Sequence, residues 1–175
     1  ALADTYREHQ LRGDARRDCD ELVASMSEWP LWPDVAELAP TWPAGQVGQV
    51  GQVGLLSNID DDLLAMTAAA ALPMVDQSKV LTSEALGSYK PAANFYRSAA
   101  DRLGPILHVA ASARDVRGTL QAGIPCIRLA RPGHHVDAAG PTPRYTTDTF
   151  GELPGLARRI IEQPSGRRPD RRDPS

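Results

Sequence analysis

Ile106-Leu107-His108-Val109-Ala110-Ala111-Ser112-Ala113-Arg114-Asp115-Val116-Arg117-Gly118, continued by Thr119-Leu120-Gln121-Ala122-Gly123-Ile124-Pro125-Cys126-Ile127-Arg128-Leu129, is the stretch on which the fold turns. Ile106 to Val109 is a short apolar run ending in the small residues Ala110-Ala111-Ser112. Asp115 to Ala122 has helical character, Gly123 stops it, and Cys126 to Leu129 is a second apolar run. Two short apolar strands joined by one helix form a βα unit, which requires parallel strands with the helix laid on the sheet.

The same alternation extends upstream. Gly54-Leu55-Leu56 leads to Ser57-Asn58, with a helix expected from about Asp61 to Ala71. Lys79-Val80-Leu81-Thr82 leads to Ser83-Glu84, and Ala92 to Leu103 is helical. The expected class is therefore α/β, a Rossmann-like parallel sheet with flanking helices. Ligands of such sheets sit at the carboxyl ends of the strands, where Ser57, Asn58, Ser83, Ser112 and Asp115 fall.

Ahead of the sheet, Cys19, Leu22, Val23 and Met26 recur at helical spacing from Asp14 to Met26. Trp29-Pro30-Leu31-Trp32-Pro33 ends that helix, and Asp34 is expected to cap a short one through Leu38. Gly45 to Gly54 repeats a Gly-Gln-Val triplet. It precedes a strand instead of following one, so it reads as a connection and not as a phosphate loop. Three units are expected: 1–33 as the remnant of a helical cap, 34–163 as the core, and 164–175 as a disordered tail.

The chain has 175 residues, enough for one domain with a proper core, and a net charge of −3. Cys19 and Cys126 have no metal-ligand or disulfide spacing, and a reducing cytoplasm suits them. No apolar run reaches transmembrane length. The basic tail Arg167-Arg168-Pro169-Asp170-Arg171-Arg172 carries acids and prolines without an aromatic or folded basic face, so no nucleic-acid or membrane partner is expected.

Three groups at the strand ends could carry chemistry. Ser57 and Asn58 supply a hydroxyl and an amide suited to a carboxylate or phosphate oxygen, or else cap the next helix. Lys90, in Ser88-Tyr89-Lys90-Pro91, is held at a helix mouth and could keep a neighbouring carboxylate ionised, or it is a surface lysine. Asp115 could orient a lysine or activate water, or it is a first-turn acid of its helix.

In their order these segments resemble the haloacid dehalogenase (HAD) superfamily from about Trp32 to Leu156. Leu55-Leu56-Ser57-Asn58 looks like its second motif, and Ser83-Glu84-Ala85 through Tyr89-Lys90-Pro91 like its third. Val109 through Asp115 with Ala122-Gly123 looks like its fourth. Phosphatases of the superfamily usually carry Gly-Asp in the fourth motif, where this chain has Ala110-Ala111. Without those oxygens a magnesium site is not expected. The metal-independent 2-haloacid dehalogenases are the most similar branch, also through Trp32-Pro33-Asp34, Tyr96 and Arg131-Pro132. Some of those enzymes have histidine at the position of Ser112 and others asparagine; serine departs from both.

The resemblance implies a hydrolase acting on (S)-2-haloacids through an aspartyl-ester intermediate, with no metal or cofactor. Lys90 and Asp115 would be catalytic, Ser57 and Asn58 would bind the substrate carboxylate, and Tyr96 and Ser112 would line or support the pocket. An HAD-type phosphatase and a binding or assembly module without catalysis are the competing readings; Asp60, Asp61 and Asp62 are read as an acidic helix turn and not as metal ligands. The family's nucleophile ends its first strand, the central one of its sheet, and these residues contain no match to it. Asp148-Thr149-Phe150-Gly151 imitates that motif but follows Tyr145-Thr146-Thr147 instead of an apolar strand. Tyr6-Arg7 imitates the family's halide-binding pair, yet its spacing puts Arg7 on the surface. A truncated chain is expected, whose open slot invites a partner strand, aggregation or a homodimer.

Overall fold

The computed structural model describes residues 2–42, 52–136 and 138–162. The Gly-Gln-Val repeat up to Gly51 and the basic tail lie outside the described residues.

Helices α1 (Leu2–Glu8) and α2 (Ala15–Ser25) pack on each other, and neither buries a residue. Asp14 caps α2 by accepting from the Arg16 and Arg17 N–H groups, at 3.0 and 3.1 Å. The amphipathic stripe is only partly covered: Met26 is buried and Val23 half-buried, while Cys19 and Leu22 stay exposed. In α3 (Pro33–Leu38) proline occupies the first turn, where its missing N–H costs nothing. The expected cap at Asp34 is not what forms. Its carboxylate accepts both Arg131 guanidinium nitrogens at 2.9 Å and the Phe150 N–H at 2.9 Å, joining three distant segments. Arg131 also lies 5.0 Å over the Trp32 ring.

The rest of the chain alternates strands and helices: β1 (Val53–Ser57), α4 (Asp61–Ala65), β2 (Val75–Thr82), α5 (Ser83–Leu86), α6 (Ala93–Leu103), β3 (His108–Ala110), α7 (Ala113–Gln121), β4 (Cys126–Leu129), β5 (Tyr145–Thr147) and α8 (Leu153–Glu162). The helix expected to reach Ala71 stops at Ala65. Beyond it the Thr67 hydroxyl donates to the Leu64 carbonyl and the backbone continues in three-residue turns. Asp61 and Asp62 do form an acidic first turn there. Tyr145–Thr147, not expected as a strand, pairs with β4; its aromatic and β-branched side chains suit an edge position.

All pairings are parallel, but the described strands make two sheets, β1-β2 and β3-β4-β5, and β1 does not pair with β3. Alternation along β4 sorts the core by face. Ile127 and Leu129 pack with Leu153, Leu156 and Ala157 of α8 and with Val35 and Leu38 of α3. Cys126 turns the other way, to Ala110 of β3 and Val116 of α7. A third cluster, Phe95 and Tyr96 of α6 with Ile124, reaches Leu56 of β1 and Ile106, so α6 bridges the two sheets.

Close backbone approach selects glycine at two points. Opposite Gly54 the register between β1 and β2 jumps, and a Cβ there would stand 2.3 Å from the Lys79 carbonyl oxygen. On α7 a Cβ at Gly118 would meet the Pro91 carbonyl oxygen at 2.6 Å and Tyr96 Cε2 at 2.7 Å. Gly118→Ala sets a gain in helix propensity of about 1 kcal/mol against overpacking of about 1–3 kcal/mol. Because one obstacle is backbone, the clash is expected to win, and urea denaturation should show a lower midpoint at an unchanged slope.

Candidate active site

The carboxyl ends of β1 and β3 meet at one end of the molecule, joined through the loop that carries Lys90. Asn58, just past β1, grips that loop by its backbone: its Oδ1 accepts the Lys90 N–H at 2.8 Å and its Nδ2 donates to the Lys90 carbonyl at 3.1 Å. This two-point contact makes Asn58 a holder of the lysine loop, a role the residue types alone did not disclose. The Lys90–Pro91 peptide is cis. Ser57, the last residue of β1, is half-buried and pairs in register with Thr82 of β2.

The Lys90 ammonium then donates to Asp115 Oδ2 at 2.8 Å, and both side chains are largely buried, 14% and 16% exposed. Asp115 stands in the first turn of α7, where Ser112 is the N-cap and its Oγ accepts the Asp115 N–H at 3.3 Å. Ser112 therefore holds the start of the helix that carries Asp115. Tyr96, fully buried on α6, donates its hydroxyl to Asp115 Oδ1 at 2.8 Å. Gly118 permits that approach, since its missing side chain leaves room for the tyrosine ring.

A fourth contact was not anticipated. His108 Nε2 lies 3.0 Å from the same Oδ1. The signal was present in the strand period: His108 and Ala110 share one face of β3, and Ala110 packs on α7. In the sequence His108 lies inside the apolar run from Ile106 to Val109.

These contacts fix the charges. Burial opposes ionisation of Asp115, but the hydrogen bond from His108 and the pairing with Lys90 outweigh it and hold the carboxyl far below its ordinary range. Burial, together with the Asp115 anion, pushes the Tyr96 hydroxyl up. Burial and the same anion push the Cys126 thiol up to about 12, so it is a packing residue and not a nucleophile. Burial also lowers His108, against the pull of Asp115, so its ring is neutral in the fold.

Two imitators lie elsewhere. Asp148 is exposed after β5, which β4 separates from β3, and the adjoining Thr147 and Thr149 close a local turn. Arg7 is a surface residue paired with Asp4 at 2.9 Å. Among the described residues no group of three or more His, Cys, Asp or Glu side chains is placed to hold a metal ion, and no helix is long and apolar enough to cross a membrane.

The sign of the pH dependence follows from two lowered groups. A histidine with a folded pKa below 6.5 loses stability as pH falls through and below 6.5, because the unfolded chain binds the proton first. Asp115, lowered from 3.8, contributes stability that is lost only as pH falls below that value. Thermal unfolding between pH 8 and 3 should show both losses in wild type, whereas His108→Phe should lack the one that begins near 6.5. An unchanged upper loss would contradict the burial of a neutral His108.

No family model and no curated protein matches the sequence. Solved structures do match. A crystal structure of a dehalogenase superposes with a TM-score of 0.67 at 26% identity, over 86% of this chain and 66% of that one. The L-2-haloacid dehalogenase from Xanthobacter autotrophicus with chloropropionic acid covalently bound superposes with a TM-score of 0.69 at 21% identity, over 93% of this chain and 73% of that one. Another L-2-haloacid dehalogenase gives 0.63 at 22%, over 89% of this chain and 69% of its own. This chain thus spans just under two thirds of the first of these proteins. It has the HAD-like α/β fold, and its structural neighbours within that superfamily are L-2-haloacid dehalogenases.

Proposed function

We propose that these residues form the lysine and aspartate side of a 2-haloacid dehalogenase site, and that the ester-forming carboxylate is brought by a strand seated between β1 and β3. The observation that carries the reading is the Asn58–Lys90–Asp115 chain of contacts at the ends of those two strands. Lys90 is buried, positively charged and tied on its far side to a permanent anion. It can draw in and keep ionised a second carboxylate, which an aspartate nucleophile requires.

In this reading the incoming carboxylate oxygen attacks C2 of the substrate. A carbon–oxygen bond forms, and the carbon–halogen bond breaks with its electron pair leaving on the halide. Water then adds to the ester carbonyl carbon and the acyl–oxygen bond breaks. A 2-hydroxy acid departs, the aspartate is restored and one proton is released. Ser57 and the adjoining turn receive the substrate carboxylate, and Asn58 holds Lys90 over the reacting oxygen. Asp115 orients Lys90 and the hydrolytic water, while Tyr96 and Ser112 brace Asp115. The 1–33 helices are read as a cap remnant over this site.

The phosphatase alternative would place a hard cation here, and Ala110-Ala111 offer it no side-chain oxygen. Asp61, a further acid near the strand ends, accepts from the Thr82 hydroxyl and sits in the first turn of α4.

The test is chloride release from 2-chloropropionate by this chain preceded by a strand ending in aspartate. Turnover is expected without added metal. Lys90→Ala is expected to lower kcat by about 10²–10⁴-fold, the range for loss of a positioned ionic group, and Asp148→Asn to leave it unchanged. Magnesium-dependent phosphatase activity without chloride release would establish the phosphatase reading instead. Neither activity, in a folded protein, would favour a binding or assembly module.

A further inference from the structure

His108 has no part in the reaction just described, yet it is a nearly buried histidine, its side chain 10% exposed, in contact with that site's anion. Four elements converge on one carboxylate: Lys90 from the loop before α6, Tyr96 from α6, His108 from β3, and Asp115 itself on α7. Cys126, the register partner of His108 on β4, borders the group. An ionised carboxylate accepts on about four lone pairs and donates none. Any group lying 3.0 Å from Oδ1 must therefore bring a proton, so Nε2 of His108 carries hydrogen. The Tyr96 hydroxyl at 2.8 Å takes the second lone pair of the same oxygen. Oδ1 is then filled, and the carboxylate can turn only Oδ2 toward Lys90, at 2.8 Å.

We propose that His108 is a positioning residue: its Nε2–H, with the Tyr96 hydroxyl, saturates Oδ1 of Asp115 and so fixes the rotation and ionisation of the carboxylate that aims Lys90. The inference rests on the dehalogenase reading only for its catalytic consequence; the hydrogen-bonding claim stands on geometry alone. The ring also meets the Tyr96 ring edge-on, with centroids 5.7 Å apart, which locks its tilt. A phenylalanine at 108 could keep that packing but would leave one lone pair of Oδ1 unfilled. A glutamine could restore the donor.

The experiment reads the two groups directly in the full chain by NMR, without relying on turnover. Long-range nitrogen–proton spectra of His108 are expected to show a ring that carries hydrogen on Nε2 at pH 7. A ring protonated on Nδ1 alone would overturn the proposal. Carbon-detected titration of Asp115 is expected to place its midpoint well below the ordinary 3.8 in wild type. In His108→Phe the midpoint should rise by about one unit or more, the scale on which a lost hydrogen bond to a buried carboxylate shifts it. His108→Gln should return it. An Asp115 titration indifferent to all three side chains would also overturn the proposal. Should the phenylalanine variant fail to fold, the wild-type ring and the glutamine variant still decide. Chloride release failing beside an Nε2–H ring refutes the dehalogenase reading alone; a ring without hydrogen on Nε2 beside turnover refutes only the role of His108.

Discussion

The pairing of Lys90 with Asp115 is the constraint around which this end of the molecule is arranged. Both side chains leave water, and bringing each charge inward costs several kcal/mol that attraction recovers only when the remaining hydrogen-bond capacity is met. The surrounding residues meet it. Asn58 fixes the lysine backbone, Ser112 caps the helix that carries the aspartate, and Tyr96 and His108 fill the oxygen that the lysine does not use. Without these partners a buried cation facing a buried anion would gain little over two solvated ions. With them, the pair becomes a fixed electrostatic feature that links the lysine loop on the β1 side to the α7 turn after β3.

That link matters because the two sheets do not hydrogen-bond to each other. Among the described residues β1 and β3 each have one unpaired edge, and the α6 cluster of Phe95 and Tyr96 and the Asn58–Lys90–Asp115 chain link them. An edge of this kind is normally covered or blunted. Both strands lead to the charged cluster, β1 through Asn58 and the Lys90 loop and β3 through the start of α7.

Much of this was legible in the residues. Strand–helix alternation around Val109 and Leu56 gave the parallel α/β class, and strand-end positions singled out Ser57, Asn58, Ser112 and Asp115. What was not legible depended on three-dimensional contact. Asn58 stood out as a strand-end amide, but its two contacts to the Lys90 backbone did not, because a segment 32 residues away supplies its partners. His108 sat inside an apolar run, and only its parity on β3 hinted that it faces α7. Asp34 looked like a helix cap, but Arg131 offers it a bidentate partner that a backbone N–H cannot rival. Tyr145–Thr147 lacked the apolar character of a buried strand because it lies at the sheet edge.

The most direct test of the Lys90–Asp115 pair is a double-mutant cycle on stability, comparing Lys90→Met, Asp115→Asn and the double variant by urea unfolding. Side chains in contact within one hydrogen-bonded network should show an interaction energy of about 1–3 kcal/mol. The double variant should then be distinctly more stable than the sum of the single losses allows, because removing both partners leaves no uncompensated buried charge. Losses that add to within about 0.3–0.5 kcal/mol, the behaviour of independent sites, would mean that lysine and aspartate do not meet in solution and that the site is not assembled as described.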